Sequence, residues 1–111
     1  MSTIIKEVAG MAVKLPPIHP GEILLEEFLK PLGISQTRLA LDLRVPAQRV
    51  NDLVRGRRSV SVDTAMRLAA YFGTTPEVWL NLQTRFDLEK AEDENLAERI
   101  KEEVRPRAVN G

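Results

Sequence analysis

The side chains best suited to chemistry lie between Gln36 and Arg58. Gln48 offers the paired donor and acceptor that fit an adenine edge, and Arg49 the fork that fits guanine N7 and O6. Asn51 and Asp52 can contact bases or buttress Arg49, and the Ala47 methyl suits a thymine methyl. Arg55, Arg57 and Arg58 flank Gly56 as phosphate clamps, and their grouping beside such residues weighs against a plain solvated surface. Catalysis has no comparable footing. His19 is the only histidine, cysteine is absent, and His19 stands in His-Pro-Gly at a helix start, where capping explains it. The pairs Glu26-Glu27 and Glu102-Glu103 are neighbours on helical stretches and read as solvated faces. With no Gly-rich phosphate loop, nothing assembles into a nucleophile–base pair, and no catalytic residue, cofactor or metal is expected.

Those side chains need two short helices and a tight turn to hold them. Ser35 caps a second helix that carries Leu39, Ala40 and Leu43 inward. Arg44-Val45 forms the turn. Pro46 then opens a third helix whose apolar side is Val50, Leu53 and Val54, leaving Ala47, Gln48, Arg49, Asn51 and Asp52 outside. Gly56 is placed to end it in the left-handed conformation. Ala40 matters because a small residue lets the two helices cross closely. Leu-x₃-Leu rows occur in any helical bundle, but the full set in register between caps is what a helix-turn-helix requires: one helix braces on the phosphates while the next enters the major groove.

Around this unit the pattern predicts an all-α fold with five core helices. Helix 1 begins at Pro20-Gly21, buries the row Leu24, Phe28 and Leu32 with Leu25 and Leu29 beside it, and stops at Pro31. Helix 4 starts at a Ser61 cap, buries Val62, Ala65, Leu68, Ala69 and Phe72, and ends at Gly73. Helix 5 takes a Thr75 cap and Pro76, then repeats Trp79, Leu82 or Gln83, and Phe86. No segment alternates at period two.

Length and charge set the organisation. The 111 residues suit one compact domain with short tails. Residues 1–18 read as an arm that is apolar for a free tail (Ile4, Ile5, Val8, Met11, Val13, Ile18). Residues 19–92 read as the helix-turn-helix DNA-binding domain. Residues 93–111 read as a charged extension, in which the four-residue spacing of Leu96, Ile100 and Val104 admits a thin helix. The zero net charge conceals a basic middle: seven arginines against three aspartates from Ser35 to Arg67, then five basic against eight acidic residues from Arg85 to Arg105. A localised polyanion site fits that distribution. No apolar run approaches the roughly 18 residues that span a bilayer, so a cytoplasmic protein is expected.

The chain resembles the Xre/Cro-like (lambda-repressor-like) helix-turn-helix class, and within it the HigA/VapI-type antitoxins of toxin–antitoxin modules. HPGEIL at 19–24, ISQTRLA at 34–40, VRGRRSVSVDTAMRLAAYFGT at 54–74 and PEVWLNLQTRFDL at 76–88 carry the resemblance. It implies a DNA-binding antitoxin that neutralises a RelE-like ribonuclease toxin and represses its own operon, as a homodimer on a palindromic operator. A stand-alone dimeric repressor without a toxin partner is the alternative. The resemblance gives Gln36 a phosphate contact at the start of helix 2 and places dimer contacts on helix 5, with Trp79, Leu80, Phe86 and Leu88 as candidates. For Trp79 and Phe86, closure of the core is the stronger reading. Arg44 departs from the pattern, since the turn there is often glycine; arginine at positive φ costs about 1 kcal/mol.

Overall fold

The computed structural model describes residues 16–108, so the arm expected over 1–18 lies outside the described residues except for its last three positions. The described residues form six helices. Helix α1 runs continuously through Pro20–Ile23, Leu24–Leu29 and Lys30–Leu32. It is followed by α2 (Gln36–Leu43), α3 (Ala47–Val54), α4 (Val62–Phe72), α5 (Pro76–Asp93) and α6 (Leu96–Glu103).

Pro31 does not stop α1. The central stretch Leu24–Leu29 is π-helical, and the Lys30 N–H bonds back to the Leu25 carbonyl, five residues earlier. This wider turn carries the backbone past the proline in helical conformation, and the helix ends at left-handed Gly33 instead. The same turn reorders the apolar row. Leu24 and Leu29 are the residues fully packed, Phe28 is half-buried, and Leu32 is 59% exposed. A period of five replaced the expected period of four.

The remaining boundaries follow local chemistry. Ser35 accepts from the Arg38 N–H at 3.0 Å, and Ser61 accepts from the Thr64 N–H at 3.2 Å, capping α2 and α4. Arg44 stands in the left-handed conformation, φ 61°, with its own N–H and that of Val45 closing on α2 carbonyls. Thr75 occupies the N-cap position of α5 but its side chain makes no capping bond; Pro76 opens the helix without it. Val62, expected inside, is 60% exposed. Val60, just before the cap, is buried in its place together with Ala65, the pair of positions that a hydrophobic staple uses.

The core is aliphatic around one tryptophan. Leu39, Ala40 and Leu43 of α2 meet Val50 and Leu53 of α3, with Ala65, Leu68 and Ala69 of α4 behind them. Trp79 has no exposed surface; its ring lies 5.1 Å from Phe28 and 6.4 Å from Phe72, and its Nε1 donates to Thr74 Oγ1 at 2.9 Å. It therefore offers nothing to a partner subunit, and its place among the dimer candidates is corrected to core. Helix α6 carries Leu96 and Ile100 on its surface, so the four-residue spacing forms a helix on the single chain.

Candidate nucleic-acid interface

Helix α3 is seated by its neighbours at both ends. At its start, the α2–α3 turn is closed by Arg44, so α3 begins within three residues of the end of α2. At its end, α1 packs directly against it. A Cβ on Gly21 would stand 1.7 Å from the Leu53 carbonyl oxygen, so only glycine permits this approach.

His19 completes that seat. Its Nδ1 accepts the Gly21 N–H at 2.9 Å, capping α1, and its ring meets Phe86 of α5 edge-on at 4.8 Å. The Arg58 backbone also acts on the ring, raising its pKa. One imidazole thus ties α1, α5 and the loop bearing Arg57 and Arg58. Burial lowers its pKa below 6.5, against the raising effects of the Arg58 backbone and of Asp87. The sign follows from linkage: the fold holds fewer protons than the unfolded chain in this window, so the contribution is full above about pH 6.5 and lost as pH falls through the lowered value. Stability by urea titration is expected to decline from pH 7 to 5.5, and His19→Asn, which keeps a cap acceptor, to flatten that slope.

The outward side of α3 holds the expected reading residues in unequal states. Ala47 and Gln48 are exposed, whereas Arg49, Asn51 and Asp52 are half-buried. Gln48 Nε2 donates to Asp52 Oδ1 at 2.7 Å, one turn along the helix. Asp52 therefore supports Gln48. It is not the buttress of Arg49 that the sequence suggested. That role falls to Asp63 on α4, whose Oδ2 accepts from Arg49 Nη1 at 2.9 Å. The same oxygen accepts from Arg67 Nε at 2.9 Å, and Arg67 Nη1 donates to the Leu43 carbonyl at 2.9 Å. Sequence reasoning missed Asp63 and Arg67, since fourteen residues and a loop separate Asp63 from Arg49.

Basic groups border this face. Arg55, Arg57 and Arg58 are exposed on the loop leaving α3, and none of them forms an ion pair among the described residues. Gln36 is half-buried as the first residue of α2, beside the Ser35 cap. On the flank, Arg38 Nη2 pairs with Asp42 at 3.1 Å and the Tyr71 hydroxyl donates to Asp42 at 2.8 Å, so Arg38 is partly neutralised. Of the remaining dimer candidates, Leu88 is exposed, Leu80 is half-buried, and Phe86 is half-buried against His19.

A profile of the helix-turn-helix family matches residues 25–79. Virulence-associated protein I of Dichelobacter nodosus is 51% identical over 81 residues, covering 73% of this chain and 75% of that protein. The structure of the Pseudomonas aeruginosa antitoxin HigA with the higBA promoter superposes with a TM-score of 0.75 at 46% identity, covering 83% of this chain and 99% of that one. The antitoxin GraA in complex with its operator gives a TM-score of 0.75 at 48% identity, covering 88% and 97%.

Proposed function

The chain belongs to the helix-turn-helix family, in the Xre/Cro-like class of HigA/VapI-type antitoxins, and on that premise we propose that it is a sequence-specific DNA-binding antitoxin that neutralises a RelE-like ribonuclease toxin and represses its own operon. The observation that carries the DNA reading is the outward face of α3, with Gln48 and Arg49 on it and, beside it, arginines 55, 57 and 58, which form no ion pair among the described residues. Gln48 and Arg49 read base edges, Asn51 and Ala47 add contacts in the groove, and Asp52 acts through Gln48. Gln36 and the three arginines hold phosphates. Residues 19–92 are the unit that does this.

One α3 reads only a few base pairs, so the protein acts as a homodimer on a palindromic site with half-sites about 34 Å apart, or a multiple of that. Exposed Leu88 and half-buried Leu80 supply the apolar surface for the pairing.

Two arginine variants test the reading. Arg49→Ala is expected to relax preference at one base pair, costing about 1–3 kcal/mol there. Arg57→Ala should weaken every sequence alike and flatten the dependence on salt. Competition titrations showing the reverse pattern would overturn these roles. The toxin partnership is tested by expressing the small reading frame beside this gene alone and with this protein. Growth arrest that this protein relieves supports an antitoxin. A harmless neighbour, or arrest that persists with both proteins well expressed, leaves a stand-alone dimeric repressor as the description.

A further inference from the structure

We propose that Asp63 is a specificity-determining positioning residue: by holding Arg49 from behind, it sets which edge of the guanidinium meets the DNA. This rests on the DNA reading of α3 above.

The geometry is a relay across three helices. The Leu43 carbonyl at the end of α2 accepts from Arg67 Nη1, Arg67 Nε donates to Asp63 Oδ2, and that oxygen also accepts from Arg49 Nη1, each at 2.9 Å. The Arg67 guanidinium is held by the Leu43 carbonyl on one side and grips Asp63 on the other, which biases the orientation of that carboxylate. Arg49 inherits that orientation. Its Nε and Nη2 make no hydrogen bond among the described residues and remain for a base edge. An arginine on a long unbranched stem is otherwise free among many rotamers, and ordering it before contact favours one base over another. Asp52 makes its side-chain bond to Gln48 and not to Arg49.

The carboxylate persists as an anion. Its pKa is lowered, first by the Arg67 hydrogen bond, which outweighs the opposing effect of burial, and then by the Arg49 hydrogen bond and the charges of both arginines. Yet the Arg49–Asp63 pair is open to solvent, with side chains 28% and 55% exposed, so it contributes little to stability. Asp63 also sets a negative charge close to the reading face, where it repels phosphates of any sequence. Its removal should therefore act in opposite directions on discrimination and on general affinity. Damage to the fold would lower both.

The test begins by enriching binding sites from a random duplex library with the intact protein. Wild type, Asp63→Asn, Asp63→Ala, Arg49→Ala and the Asp63→Ala/Arg49→Ala double variant are then titrated. The probes are the enriched site, its single base-pair variants and a random duplex. Asp63→Ala is expected to lose about tenfold of discrimination at the one base pair whose identity Arg49→Ala erases. Affinity for the random duplex should hold or rise, and the double variant should lose nothing beyond Arg49→Ala. Asp63→Asn, which keeps the shape of the side chain, should lose discrimination at the same base pair and serves if the alanine variant folds poorly. Full discrimination by a folded Asp63 variant would overturn the proposal and leave the DNA reading standing. So would equal loss on enriched and random DNA. If wild type enriches no site, the DNA reading itself fails and Asp63 has nothing to position.

Discussion

Gly21→Ala is expected to destabilise the protein by about 3 kcal/mol, the upper part of the range for overpacking, and to weaken DNA binding in whatever population remains folded. The added Cβ would fall 1.7 Å from the Leu53 carbonyl oxygen and 2.6 Å from its carbonyl carbon. Both obstacles are backbone, so no rotamer change relieves them. The α1 N-terminus and the end of α3 must separate, and the adjustment reaches the buried Leu53 side chain and the Gly56 N–H that bonds to the same carbonyl at 3.0 Å. The loop carrying Arg57 and Arg58 starts at that point. Gly33→Ala is the matched control. Its Cβ would meet nothing within 4 Å, and its cost is the left-handed backbone alone, φ 66°, or about 1 kcal/mol. Urea denaturation of both variants, with titration of DNA, measures the contrast. Equal losses would mean that the α1–α3 seat yields freely.

Trp79→Ala is expected to cost about 3–5 kcal/mol. For a domain whose whole stability is about 5–15 kcal/mol, this removes from about a fifth to all of it. The ring joins three helices, touching Phe28 of α1 and Phe72 of α4 from its place on α5. Truncation opens a cavity that neither phenylalanine can fill without abandoning the other, since their own centroids are 4.8 Å apart. The Thr74 hydroxyl, which accepts from Trp79 Nε1, also loses its donor. Trp79→Phe should cost much less, because it keeps most of the packing and gives up mainly that hydrogen bond, worth about 1 kcal/mol. Thermal melts of the two variants rank the contributions. A loss below about 1 kcal/mol for the alanine variant would contradict a core placement.

Much of this architecture was legible in the residues. Ser35 and Ser61 cap helices, Gly56 and Gly73 take the left-handed conformation, and the helix-turn-helix spans the stretch where its apolar positions place it. These features act within about one helical turn, so the residues that cause them are neighbours in the chain. The face of α3 was legible for the same reason: burying Val50 and Leu53 turns Gln48 outward.

Other features belong to the tertiary structure. A π-helical stretch put Leu29 inside and Leu32 outside, because backbone register responds to the surface it packs on and Pro31 supplies no N–H to hold the ordinary one. Val60 replaced Val62 in the core, and the buried position left open between Leu82 and Gln83 went to Gln83, whose Oε1 accepts the Val60 N–H at 2.8 Å. Asp63 rather than Asp52 met Arg49, and Asp42 met Tyr71 across twenty-nine residues. The sequence by itself determined where most of the helices start and which side of α2 and α3 is apolar, since those are settled by hydrogen bonds and periodicity over a few residues. Which polar groups meet, and which glycine must stay a glycine, was decided only when the helices crossed, because contact between distant segments depends on angles and separations that no local pattern encodes.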